Sequence, residues 1–154
     1  MPMEINLTLC LPRDEMSIPL VRHICDYAME EVGVADLCRA DVLLALTEAC
    51  SNVTAHSTTE NEYEVTICIG QERCEIRVVD RGKGFDIDLI ELGRAEPEAE
   101  SGRGITLMHA LVDRIAFESK PQDGTVVHLE KALVYDETNP VRMALAAAGA
   151  RTEA

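Results

Sequence analysis

The sequence predicts a two-layer α/β sandwich, in which a mixed, mostly antiparallel sheet is covered on one face by helices. Three observations carry that prediction. Runs with strand period and runs with helix period follow one another as strand, helix, helix, hairpin, loop, helix, hairpin. Strands that neighbour each other in sequence are joined by short turns, which pair them antiparallel. The regular alternation of strand and helix that a doubly wound parallel sheet requires is missing.

The first strand is expected over residues 3–11, where Ile5, Leu7, Leu9 and Leu11 alternate onto one face and Pro12 ends the run. A helix over 14–32 follows, with Ile18, Val21, Ile24, Cys25 and Ala28 at helical spacing and Gly33 as its stop. A second helix runs over 36–56, capped by Asp36 or Asp41, with Leu37, Leu43, Leu44, Leu46, Ala49 and Val53 available to a core face. Two β-rich runs, 63–69 and 74–79, flank Gly-Gln-Glu-Arg and read as a hairpin. The acidic segment 86–101 is expected to be a surface loop with a helical turn at 88–92. A helix over 104–112 and a last hairpin, 114–119 with 125–131, complete the unit. The chain is thus expected to form one domain over 1–135, with a peripheral tail over 136–154 that frays or forms a short alanine-rich helix after Pro140.

At 154 residues, the length suits a single domain, and 47% hydrophobic residues suffice for a core. Asp and Glu number 28 against 14 Lys and Arg, a formal charge of -14 that disfavours nucleic acid and anionic membrane as partners and favours proteins with basic faces. A bound phosphate then needs a local device, backbone N–H groups or a divalent cation. No run of about 18 apolar residues and no signal-peptide pattern is present, so a cytoplasmic location is expected. Six cysteines without CxxC spacing are expected to be reduced, although Cys68 and Cys74 flank the first hairpin and could face each other across it.

Three segments could carry chemistry. Glu48 and Asn52 lie four residues apart and project from one helix face; a carboxylate and an amide so placed can serve a nucleophile and a hydrated Mg²⁺, or can simply face solvent. Asp80-Arg-Gly82-Lys-Gly84 follows a strand directly; it is either a turn headed by an aspartate or a site where a ligand approaches the main chain and Asp80 accepts from an exocyclic amine. Ser101-Gly102-Arg103-Gly104 opens a helix, as a capped joint or as backbone N–H groups for phosphate.

Taken together, LTEACSNVTAH, VVDRGKGFD and SGRGI resemble the N, G1 and G2 boxes of the GHKL (Bergerat-fold) ATP-binding family, and most closely its small RsbW-type anti-sigma factor serine kinases. The likeness covers residues 5–131. It implies ATP and Mg²⁺ as cofactors, with Asn52 on the metal and Glu48 as the general base or water-orienting group. Asp80 would take the adenine amine, Gly82 and Gly84 would pass close to the nucleotide, and Gly102, Arg103 and Gly104 would cradle phosphates under a lid over 86–101. Thr125 would stand near the adenine pocket, and His56 would be structural. A histidine kinase needs a phosphoacceptor helix pair and a gyrase or MutL subunit a transducer domain; neither is expected here.

The resemblance therefore implies a serine/threonine protein kinase that phosphorylates an anti-sigma factor antagonist and alternately holds a sigma factor. A homodimer is compatible with it, with the free edge of the first strand as one available surface. The alternative is a nucleotide-binding anti-sigma or regulatory module with little or no kinase activity, and a third reading is a structural domain that binds no nucleotide. Label transfer from ATP separates the first two, and titration with Mg-ATP disposes of the third.

Overall fold

The computed structural model describes residues 3–14, 16–56, 62–80, 100–120 and 124–153. Its elements are β1 (Ile5–Pro12), α1 (Ser17–Glu31), α2 (Asp36–His56), β2 (Glu62–Ile69), β3 (Arg73–Asp80), α3 (Glu100–Leu111), β4 (Arg114–Lys120), β5 (Gly124–Ala132) and α4 (Pro140–Glu153). The strands form one sheet in the order β1-β2-β3-β5-β4. All four pairings are antiparallel. The expected sandwich is present, with α2 packed on β3 and β5 and flanked by α1 and α3.

Strand alternation sorts the two faces. On β2, Tyr63, Val65, Ile67 and Ile69 are buried, and on β3, Cys74, Ile76 and Val78 are buried, while the residues between them are more exposed. Cys68 pairs with Glu75 and Cys74 with Ile69, so the two cysteines lie on opposite faces and do not confront each other. The period of two that puts Cys74 inward puts Cys68 outward. All six cysteines are free.

Helix periodicity does the same for α1, whose Val21, Cys25 and Met29 are fully buried at spacings of four. The helix ends in a Schellman motif: Gly33 has φ 87° and donates to Glu30 C=O, while Val34 donates to Met29 C=O. In α2 the buried stripe is Cys38, Val42, Ala45, Leu46, Ala49 and Val53. Leu37 and Leu44 were expected on this face but are 84% and 42% exposed. They fall on the row 37, 41, 44, 48, which the helical period turns away from the sheet together with Asp41 and Glu48. The helix begins at Asp36 itself, so neither Asp36 nor Asp41 precedes it as a cap; Asp36 lies in its first turn and pairs with Arg39.

The chain after β5 returns to the α1–α2 junction. Tyr135 bridges Val34, and Ala35 donates to Val134 C=O at 2.7 Å. Asn139 then caps α4, accepting from the backbone of Val141 and Arg142, with Pro140 at the first helical position. The Arg142 guanidinium stacks 4.1 Å from the Tyr135 ring centroid. A Cβ on Gly33 would stand 3.0 Å from that of Arg142, so Gly33 serves both the turn and this close approach.

Candidate nucleotide site

The inward face of the sheet changes character toward one end. On β3 the inward sequence Cys74, Ile76, Val78 is followed by Asp80, a carboxylate only 2% exposed. On β5 the inward positions Leu129 and Val127 give way to Thr125, also 2% exposed. Asp80 and Thr125 are register partners, so two buried polar side chains stand side by side where the alternation asks for apolar ones.

The helices bring further polar groups to this end. The α2 helix starts at the opposite end of the sheet, where Cys38 Sγ lies 3.7 Å from the Ala132 carbonyl and Asp41 pairs with Lys131. It finishes beside β2, where Cys50 hydrogen-bonds Tyr63, and the Tyr63 hydroxyl meets Ser17 Oγ at 2.6 Å. Burial pushes the Cys50 thiol and the Tyr63 phenol each up to about 12, so both are neutral hydrogen-bonding groups. Asn52, just beyond Cys50, is buried at 4% exposure. Glu48, one turn earlier, is half-buried on the row that borders solvent.

Sequence reasoning missed Arg13. It follows β1 and reaches across the start of β2 to pair with Asp80, through Nη2 and Oδ1. The Arg13 side chain is 10% exposed and that of Asp80 1%. Nothing in the Pro12-Arg13-Asp14 segment distinguishes this arginine from a surface residue; only the antiparallel pairing of β1, β2 and β3 brings it to the end of β3. Among the described residues, Arg13 Nε and Nη1 and Asn52 Nδ2 have no hydrogen-bond partner. Buried donors left unpaired are costly, and an ion pair taken out of water repays its desolvation only when its remaining donors are satisfied. Several such donors at one end of a sheet point to an absent group rich in acceptors.

The Gly102–Gly104 segment lies differently from expectation. The helix begins at Glu100, four residues early, so Gly102, Arg103 and Gly104 sit in its first turns, and residues 100 and 101 are helical instead of belonging to a loop. The first four N–H groups of a helix lack intrahelical acceptors, so the early start leaves the Gly102 N–H among the free donors and takes the Gly104 N–H into the helix, a correction to the expected cradle of three. At the other end of α3, the Leu111 carbonyl accepts from Lys131 Nζ at 2.7 Å, and Val112 meets Val42 and Ala45 around a small apolar cleft. Packed along α2, α3 therefore points its N-terminus toward the end that holds Asn52. Gly82 and Gly84, with residues 86–99 of the expected lid, lie outside the described residues, as does the His56 side chain.

The residue types present are compatible with a Mg-nucleotide: a buried carboxylate able to accept from an exocyclic amine, a buried side-chain amide whose oxygen is of the kind a metal takes, and helix N–H groups able to meet phosphates. Among the described residues no helix is long and apolar enough to cross a membrane.

Comparison with known proteins agrees. Residues 11–131 match the histidine kinase-like ATPase domain family. The chain is similar to the serine-protein kinase RsbW of Bacillus velezensis, with 34% identity over 134 residues, covering 80% of this chain and 82% of that protein. The kinase of the same name from Bacillus cereus is 29% identical over 150 residues, covering 88% and 92%. The crystal structure of the RsbU and RsbW domains of a Mycobacterium tuberculosis protein shares the fold, with a TM-score of 0.65 at 19% identity. That likeness covers 84% of this chain and 32% of the longer one.

Proposed function

The chain belongs to the histidine kinase-like ATPase domain family as a serine-protein kinase of the anti-sigma type, and on that premise we propose which of its residues bind, position and transfer. ATP bound at the polar end of the sheet supplies the phosphoryl group, and Mg²⁺ neutralises charge on its phosphates. Asp80 accepts from the adenine amine, with Thr125 beside it and Gly82 and Gly84 allowing the chain to approach the base. Asn52 holds the metal through its side-chain oxygen. The N-terminal turn of α3, with Gly102 and Arg103, receives the phosphates. Glu48, half-buried one turn from Asn52, takes the proton of the incoming serine or threonine hydroxyl.

The observation that supports this reading is the buried polar pair Asp80 and Thr125 at the end of β3 and β5, with the buried Asn52 whose Nδ2 has no partner among the described residues. The kinase works in the cytoplasm on an anti-sigma factor antagonist and alternately sequesters a sigma factor, whose basic face complements a chain of charge -14. Residues 1–135 form the catalytic unit and 136–154 an appendage to it.

The test is labelled ATP with candidate antagonist proteins. Glu48→Gln should keep ATP binding and lose phosphotransfer by about 10²–10⁴-fold. Asn52→Ala should lose Mg-ATP. Unchanged transfer in Glu48→Gln would remove it as the base, and complex formation without label transfer by the wild type would make the protein a nucleotide-dependent binder.

A further inference from the structure

Arg13 is the buried charge that the reading above does not use. Its side chain is nine-tenths buried, pairs with Asp80 through Nη2, and leaves Nε and Nη1 without partners among the described residues. Those two nitrogens carry three N–H groups between them, all in a planar fork whose orientation is set once Nη2 is anchored. A purely structural arginine in this position would be expected to face carbonyls or a second carboxylate with those donors. Instead the pair presents, at one place, a carboxylate that can accept and a guanidinium that can donate.

Adenine offers the complement. Its exocyclic amine donates, and on either side of that amine stands a ring nitrogen that accepts, N1 on one edge and N7 on the other. A carboxylate offers about four lone-pair sites and can serve more than one donor at once, so holding Arg13 does not by itself bar Asp80 from accepting the amine. We propose that Arg13 is a specificity-determining residue of the nucleotide site: held by Asp80, it donates to the ring nitrogen next to the adenine amine, so that an acceptor and a donor together read the base. A purine with a 6-oxo group meets the carboxylate with an acceptor and is rejected. The inference rests on Asp80 being the adenine contact and adds a residue from outside the three sequence segments that suggested the site.

The test is a binding measurement that needs no turnover. Calorimetric titration of the full chain with Mg-ATP, 1-deaza-ATP and 7-deaza-ATP is compared with the same titrations of Arg13→Ala. The wild type should bind one of the two deaza analogues at least about tenfold more weakly than ATP. Arg13→Ala should bind ATP at least about tenfold more weakly than the wild type and should no longer distinguish that analogue. Arg13→Lys keeps the positive charge beside Asp80 without the planar fork; it serves if Arg13→Ala does not fold, and it should show the same loss of discrimination.

Equal binding of all three nucleotides by the wild type overturns the proposal, as does a deaza penalty that persists in the variants. Tighter ATP binding by Arg13→Ala also overturns it, because Arg13 would then be obstructing the base. A wild type that binds no adenine nucleotide at all overturns the site itself and this proposal with it, which separates the two failures.

Discussion

The two ends of the five-stranded sheet are made from the same strands and are finished in opposite ways. At the β2–β3 turn, polar groups are paired. Gly70 N–H donates to Arg73 C=O at 2.9 Å, and Tyr135 Oη donates to Gly70 C=O. Leu133 N–H donates to Glu72 C=O, and Lys131 Nζ donates to Leu111 C=O while pairing with Asp41. At the far end, the inward positions of the same β3 and β5 turn polar, and Arg13 and Asn52 keep buried donors unpaired. The first end also leaves one buried donor without a hydrogen bond, Arg142 Nε, whose guanidinium stacks on Tyr135, whereas the far end gathers three on Arg13 and Asn52 beside the buried polar pair, a concentration expected where local rules yield to function.

The largest effect should come from filling the polar end with carbon. Asp80→Leu leaves the Arg13 guanidinium buried without its counter-charge and should cost about 3–5 kcal/mol in urea unfolding, with loss of ATP binding. Adding Arg13→Met should restore most of the stability and none of the binding. A double variant as unstable as the single one would mean that this end is structural, and the contrast between the ends would fail.

A smaller effect should come from pH, acting on thiols buried in the core. Burial pushes the Cys25 and Cys50 thiols up to about 12, whereas an unfolded thiol titrates near pH 8.5. Because the folded values are raised, the stabilisation from keeping these thiols neutral is fully present below about pH 8.5 and falls as pH rises toward the folded values. Roughly 1–2 kcal/mol per thiol should be lost by about pH 10, and Cys50→Ala should flatten the slope of stability against pH by one thiol's share. The smallest effect belongs to the paired end: Tyr135→Phe removes one hydrogen bond to Gly70 and should cost about 1 kcal/mol in thermal unfolding without altering ATP affinity.

How far the sequence could be followed depended on whether a feature was local. The alternation of Ile5, Leu7, Leu9 and Leu11 gives β1 directly, and the spacing of Val21 and Cys25 with Gly33 beyond gives α1 and its stop, because period and capping are properties of adjacent residues. Leu37 and Leu44 misled, since their hydrophobicity says nothing of which side of α2 the sheet occupies. The start of α3 was also misjudged: glycine propensity argued against a helix at Gly102 and Gly104, and packing of α3 on α2 prevailed.

In the site, Glu48, Asn52, Asp80 and Thr125 were legible as motif residues, although their burial was not. By itself the sequence determined the strands, the helices, the order in which they occur and the residue types available for chemistry, all of which depend on neighbours a few positions apart. Tertiary structure alone decided that Asp80 faces Thr125, that α2 delivers Asn52 to their end of the sheet, and that Arg13, 67 positions from Asp80, becomes its partner. Register and sheet order set those meetings. They are fixed by which faces can be buried together, a condition on the whole chain that no short segment contains.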